Sequence, residues 1–94
     1  FELLAASISG DSLGLAVEYG GGCETHDFAL CWNGLVAESA PPQMTVHLIH
    51  DANKDSCLAL VAELLEFDLS LVRENVSGGE IIIHVLGESL FYSF

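Results

Sequence analysis

The chain has 94 residues, of which 51% are hydrophobic, and fourteen acidic side chains against two basic ones give it a net charge of −12. This length suits one domain over residues 1–94 and leaves no room for a second. A disordered acidic tail is excluded, because disorder requires low hydrophobicity together with high charge. Lys54 and Arg73 are the only cations, so we expect neither nucleic acid nor an anionic membrane surface as a partner. No apolar run is long enough for membrane insertion.

Turn-forming residues divide the chain into pieces of roughly seven to ten residues, the spacing of an all-β sandwich or barrel. The opening piece, 2–8, is a weaker strand prediction because alanines dilute its pattern. In the later pieces apolar side chains alternate with period two, as in strands with one buried face. The last two pieces predict a hairpin across Gly87-Glu88. The predicted buried rows are, in chain order, Leu13/Leu15/Val17/Tyr19, His26/Phe28/Leu30/Trp32, Met44/Val46/Leu48/His50, Ile81/Ile83/Val85 and Leu90/Tyr92/Phe94.

The piece from Ser56 to Phe67 fits two structures. Its Leu, Ala and Glu residues are good helix formers, and Ser56 could cap a helix. As a strand it would carry apolar residues on both faces, as a fully buried or interface strand does. We favour the strand because the neighbouring pieces are strands. A helix over residues 56–67 would make the fold α+β.

The pattern as a whole predicts an all-β fold, a single antiparallel β-sandwich of about seven strands with immunoglobulin-like architecture. The side chains expected at the centre of its core are Phe28, Leu30, Trp32, Val46 and Leu48.

Three cysteines occur in the chain, Cys23, Cys31 and Cys57. Cys23 and Cys57 fall in loops at strand ends, so the simplest disulfide joins them; it would close a loop of about 34 residues and contribute roughly 3–4 kcal/mol in the chain-entropy model. Cys31 lies within a strand and would be a buried free thiol that behaves as a small hydrophobe. The alternative is three reduced cysteines in a cytosolic protein.

The loops that carry these cysteines also contain a candidate zinc set. The spacings Cys23-x-x-His26 and His50-x6-Cys57 offer two sulfurs and two imidazoles, which is a common ligand set for zinc. The zinc set competes with the disulfide, because the same two sulfurs cannot serve both.

A candidate calcium turn lies within the second half of the zinc set, between His50 and Cys57. Asp51, Asn53 and Asp55 place oxygens at alternate positions, which is how a calcium loop begins. The sixth position is Ser56 rather than Gly and the twelfth is Ala62 rather than Glu, so an EF-hand is excluded. The alternative is a solvated Asx-rich turn without a ligand.

The remaining histidines do not point to catalysis. His47 and His84 lie on the strand faces opposite the apolar rows, where a solvated or hydrogen-bonded position is expected. A Cys–His nucleophile pair in the loops would need an orienting group and an oxyanion hole. The chain has no G-x-S-x-G motif, P-loop or dinucleotide fingerprint. We therefore expect that the protein is not an enzyme.

Three stretches together resemble a known group of domains. They are GGGCETHDFALCW (20–32), HDANKDSC (50–57) and EFDLS (66–70), and they are similar to small β-rich domains of uncharacterised bacterial envelope proteins and lipoproteins. The resemblance covers most of the chain from about residue 13 onward. It implies a secreted β-sandwich in which Cys23 and Cys57 pair and residues 58–68 form a strand, and it implies no activity. The chain departs from the group by its extra Cys31 and by lacking a signal peptide or lipid-anchoring cysteine at its start.

We therefore expect a non-catalytic structural or interaction module of a bacterial protein, periplasmic or extracellular, without a cofactor. The alternatives are a zinc- or calcium-binding protein, and a small cytoplasmic ligand-binding protein or enzyme. A protein partner is expected, most simply in a homodimer, because the chain has more apolar rows than a two-layer sandwich of this size can cover. The side chains of these extra rows are Leu58, Leu60, Leu64, Leu65, Phe67, Ile82, Leu86 and Phe91.

Overall fold

The computed structural model describes all residues, 1–94, and contains seven strands and one short helix. A three-stranded antiparallel sheet, sheet A, has the order β1-β2-β5, and a four-stranded mixed sheet, sheet B, has the order β3-β4-β6-β7. The elements are β1 (Glu2–Ser9), β2 (Ser12–Gly21), β3 (Asp27–Trp32), β4 (Gln43–Asp51), β5 (Ala59–Asp68), α1 (Ser70–Asn75), β6 (Glu80–Val85) and β7 (Glu88–Ser93).

The prediction of a mostly β fold is confirmed, but the prediction of wholly antiparallel pairing is wrong for one strand pair. β4 and β6 run parallel. After β4 the chain leaves sheet B, contributes β5 to sheet A, forms α1 and then returns to sheet B. Such a crossover, unlike a hairpin, brings the returning strand in parallel to its neighbour.

The segment that could have been a helix is a strand, so the helical alternative for residues 56–67 is wrong. β5 pairs with β2 along its whole length, from Gly21↔Ala59 to Ser12↔Asp68. This ladder outweighs the helix propensity of the Leu, Ala and Glu residues, which is a weak preference that tertiary structure overrides. The helix that does form, α1, has six residues, and no helix of the protein is long and apolar enough to cross a membrane.

The hydrophobic core is one cluster to which both sheets contribute, and it is built mainly from the buried rows of the central strands. Leu13, Leu15 and Val17 of β2 are fully buried, and so are Ile81 and its two inward neighbours on β6. The predicted core residues Val46 and Leu48 are buried, whereas the other three, on β3, are only half-buried. β3 is an edge strand of sheet B, so its inward face has no neighbouring strand on one side. The half-buried three are Phe28, Leu30 and Trp32.

The predicted C-terminal hairpin is present, and one of its residues, Tyr92, binds the turn between β1 and β2 through Asp11. Val85 faces Glu88 in the register, and the two residues between them have positive φ angles of 50° and 83°, as a two-residue hairpin turn of type I′ requires. Tyr92 of β7 is fully buried and donates a hydrogen bond of 2.6 Å to Asp11 Oδ1. Arg73 of α1 donates to the other oxygen of Asp11 at 3.0 Å. Burial, followed by the hydrogen bond to Asp11, raises the pKa of Tyr92 to about 12.

Candidate functional site

Most of the chemistry-bearing side chains meet where two loops come together. One loop joins β2 to β3, and the other joins β4 to β5. We call this group, together with the end of β4, the Cys/His cluster. Its members are Cys23, His26, His50, Asp55 and Cys57.

A disulfide joins Cys23 to Cys57, with the two Cα atoms 5.8 Å apart. It ties the β2–β3 loop to the β4–β5 loop. Both sulfurs of the candidate zinc set are therefore in a covalent bond, and the structure does not assemble the set of two thiolates and two imidazoles. Sγ of each cysteine and a carboxylate oxygen of Asp55 lie within 4.8 Å of one another, so a metal ion could use these three ligands only after reduction of the disulfide.

Asp55 is the centre of the hydrogen bonds in the cluster. Its side chain has no exposed area, and that of His26 is 1% exposed. His26 Nε2 donates to Asp55 Oδ2 at 2.8 Å, and backbone amides of both loops donate to the same carboxylate. The hydrogen bond from His26 is the largest cause that lowers the pKa of Asp55 to about 2, and the amides of Cys57, Glu24 and Cys23 add to it against the opposing effect of burial. The amide donors are Gly22 at 3.1 Å, Cys23 at 3.4 Å, Glu24 at 3.3 Å and Cys57 at 3.1 Å.

His50 extends the chain of hydrogen bonds outward. Its Nε2 lies 2.7 Å from His26 Nδ1. A carboxylate only accepts, so His26 Nε2 is the donor to Asp55; a neutral His26 then accepts at Nδ1, and His50 Nε2 donates to it. The His50 ring stacks on Phe28, with the ring centroids 4.6 Å apart and the planes at 12°. Burial, then the neighbouring His26 and the N-terminal amine, lower the pKa of His50.

The Asp55–His26–His50 chain has the connectivity of a proton relay, and the polar groups around it are already engaged. The two neighbouring sulfurs are joined to each other. Tyr19, whose ring stacks on His26 with the centroids 4.2 Å apart, donates its hydroxyl to Glu63 at 2.8 Å. In this structure the cluster holds the two loops together, through the Cys23–Cys57 disulfide and the buried Asp55 carboxylate.

The candidate calcium turn does not converge on a common point. Asp51 Oδ1 accepts the amide of Asn53 at 2.8 Å, which is an Asx turn. The Asn53 side-chain amide donates to the Thr25 carbonyl at 2.6 Å and to Asp27 Oδ2 at 2.8 Å. Asp55 is turned inward to His26. Asp51, Asn53 and Asp55 are thus hydrogen-bonded to three different sets of partners and do not form a common calcium site in this structure.

The third cysteine is exposed, so the prediction of a buried Cys31 is wrong. Alternation along β3 turns its apolar row inward and places Cys31 on the outer side of sheet B, opposite the exposed His47 in the register. The other histidine outside the cluster, His84, is hydrogen-bonded, as expected: its ring nitrogens lie 2.7 Å from Gln43 Oε1 and 2.8 Å from Ser89 Oγ.

The sequence predicts Asp55 as a calcium ligand, whereas in the structure it is the hydrogen-bond centre of the cluster. The signal for that role lies in the triple glycine. A Cβ added at Gly21 would lie 2.5 Å from Asp55 Oδ2 and 2.7 Å from His26 Nε2, so a side chain at this position would displace the pair. The backbone amides of Gly22, the last of the three glycines, and of the two residues after it donate to Asp55.

Comparison of the chain with protein-family models, with curated proteins and with solved structures gives no match.

Proposed function

We propose that the protein is a non-catalytic interaction module of a periplasmic or extracellular protein, and that its two sheets act as an immunoglobulin-like β-sandwich scaffold. The disulfide supports an oxidising compartment. The observation that carries the proposal is the composition of β5, an edge strand with exposed leucines on its outer face. A long hydrophobic edge strand left uncovered is an aggregation hazard, and a contiguous exposed apolar patch marks an interaction surface.

The proposed interface is the outer face of sheet A, which we call the leucine face. Leu60 and Leu64 project from it and are 73% and 66% exposed. Leu60 pairs with Gly20 of β2, and Leu64 pairs with Ala16. On its other side Ala16 pairs with Ala5 of β1. The face therefore consists of a ridge of leucines along one edge and, next to it, a floor of small side chains with Glu18 in the middle.

A second copy of the chain fits this shape. In a two-fold dimer the same surface is used by both partners, so the ridge of each copy would lie over the floor of the other. Full burial of a leucine side chain is worth about 1.5–3 kcal/mol, and a dimer would bury Leu60 and Leu64 of both copies. That gain is of the same order as the cost of association, about 4–15 kcal/mol, so we expect a dimer of modest affinity.

Acidic residues on the leucine face provide a specific test. Glu18 stands between Ala16 and Gly20 and faces Glu2 of β1 in the register, and Glu66 follows the ridge on β5. Two such faces repel each other, and salt screens repulsion between exposed charges. The proposed dimer should therefore be more stable at high salt than at low salt.

Light scattering across a concentration series, at low and high NaCl, tests the proposal. The wild-type chain should approach the mass of a dimer, and Leu64→Ser should shift it to a monomer. Ile49→Ser is the matched control, because Ile49 is 55% exposed on the opposite sheet. A monomeric wild-type chain at high concentration and high salt, or equal loss of dimer in both variants, would refute the use of this face.

Zinc binding by the reduced protein is the second candidate function. It rests on the proximity of Cys23, Asp55 and Cys57, whose ligand atoms lie within 4.8 Å of one another. Equilibrium dialysis of the oxidised and the reduced protein against zinc, followed by metal analysis, tests it. We expect stoichiometric binding only after reduction, and Cys57→Ser should abolish it. Equal zinc content in both redox states would rule out a site made from these sulfurs.

A further inference from the structure

The two sheets are closed against each other on one side and open on the other. On the closed side β1 of sheet A approaches β7 of sheet B. On the open side the edge strands are β3 and β5, and they do not pair. Each therefore has one row of backbone amides and carbonyls without a strand partner. We call the gap between β3 and β5 the seam.

The seam exposes apolar side chains that belong to the core. One groove in it, of about 420 Å³, is lined by Leu30, Trp32, Phe67 and Leu71 among others. A second groove, of about 300 Å³, lies further along the same two strands and is lined by Phe28 and again by Phe67. Both grooves are lined by Phe67, so they lie next to each other along the seam, and we call the two together the channel. Leu71, on α1 at the rim, is 63% exposed.

The charges along the seam are all negative. The acidic residues that line the two grooves are Asp27, Glu63, Glu66 and Asp68. Neither groove is lined by a lysine or an arginine, and Arg73 is paired with Asp11. The seam thus combines free strand edges, an apolar floor and acidic rims. A segment that complements it would be extended, with apolar side chains on one face and cations on the other.

We propose that the seam binds an extended segment of a partner protein in which apolar residues alternate with lysine or arginine. Such a segment would add as a strand beside β3 or β5, with its apolar side chains on the floor of the channel and its cations at the acidic rims. β3 spans six residues, which is about 20 Å of extended chain, so a segment of about that length fills the channel. A second copy of this chain is not the occupant, because its only cations are Lys54 in a turn and Arg73 in α1. Leu64 and Glu66 of the leucine face also line the second groove, so the variants that test the seam are chosen at residues that belong to only one of the two surfaces.

The probe for the experiment is a synthetic capped peptide in which four lysines alternate with three valines. One control peptide has the same composition in two blocks, and another replaces lysine by glutamate. Trp32, the single tryptophan, lines the seam and reports binding through its fluorescence. We expect saturable binding of the alternating peptide, at least about tenfold tighter than that of either control. Raising NaCl should weaken this binding, because it screens the attraction between the cations and the acidic rims.

Two variants separate this site from the leucine face. Leu71→Ser should weaken binding of the alternating peptide by about three- to tenfold, since it removes an apolar wall of the channel. Leu60→Ser is the matched control: its leucine is 73% exposed, against 63% for Leu71, and lies outside the seam. It should leave peptide binding unchanged. The proposal is overturned by an absence of binding up to about 1 mM peptide, by equal binding of the alternating and block peptides, or by an unchanged affinity in Leu71→Ser.

Discussion

Removal of the disulfide has an effect that can be worked out from the length of the loop that it closes. Cys23 and Cys57 are 34 residues apart in the sequence. In the chain-entropy model the double variant Cys23→Ala/Cys57→Ala then loses about 3.8 kcal/mol of stability, because its unfolded chain is no longer constrained. A protein of 94 residues has a free energy of unfolding of about 5–14 kcal/mol, so the loss is a large part of the total. Each kcal/mol lowers the Tm by about 4–8 °C at this size, which predicts a decrease of about 15–30 °C.

Thermal melting and urea unfolding, both followed by circular dichroism, measure this loss. Cys31→Ala is the control, and it should leave the Tm unchanged because the Cys31 side chain is exposed on the outer side of sheet B. The double variant should keep its fold at low temperature, since Asp55 still accepts the amides of both loops. A decrease of less than about 5 °C in the double variant would refute the reasoning, because it would show that the disulfide does not limit the entropy of the unfolded chain.

The further predictions concern four single side chains. Tyr92→Phe should lower the free energy of unfolding by about 1.5–3 kcal/mol, since it removes a buried hydrogen bond to the Asp11 carboxylate. The pKa of Tyr92 is raised to about 12, so the stability contributed by its protonated hydroxyl is present below about pH 10 and lost towards pH 12; Tyr92→Phe should remove this alkaline decrease in urea unfolding. The pKa of Asp55 is lowered to about 2 from 3.8, so its stability is present above pH 3.8 and lost as the pH falls towards 2; Asp55→Asn should flatten this acid limb. The pKa of His50 is lowered, so the free energy of unfolding should begin to decrease as the pH falls below about 6.5, and a His50→Gln variant that retains the slope would contradict this. Titration of the native protein with a thiol reagent should detect only Cys31, and all three cysteines should react after reduction and denaturation; a native protein without a reactive thiol would contradict the exposure of Cys31.

The rows of core residues could be predicted from the sequence because alternation along a strand decides which side chains share a face. Leu13, Leu15 and Val17 were assigned to the core on this basis, and they are fully buried. Alternation does not say how well a face is covered, since that depends on which strands lie at the edges of the sheets. Trp32 has the periodicity of a core residue, yet it is half-buried because β3 has no neighbour on one side.

The Cys/His cluster could be predicted only in part, for a reason of distance along the chain. The chain has three cysteines, and only two of them fall in predicted loops. Their pairing could therefore be proposed from their positions in the sequence. The role of Asp55 depends on backbone amides that lie 31 to 33 residues earlier, and the triple glycine beside those amides does not indicate which side chain they bind. Without the register of the two loops, a carboxylate in an Asx-rich turn is most simply interpreted as a calcium ligand.

The position of the disulfide also makes the two ends of the seam different from each other. The β2–β3 loop leads into β3 and the β4–β5 loop leads into β5, so the two strands that border the seam both begin close to the Cys23–Cys57 bond. The other end of the seam, beside α1, has no disulfide. We therefore expect β3 to be held most firmly beside the Cys23–Cys57 bond and to move more easily towards Trp32. Amide hydrogen exchange should increase in the same order along β3, and a strand entering the seam would do so from the end next to α1.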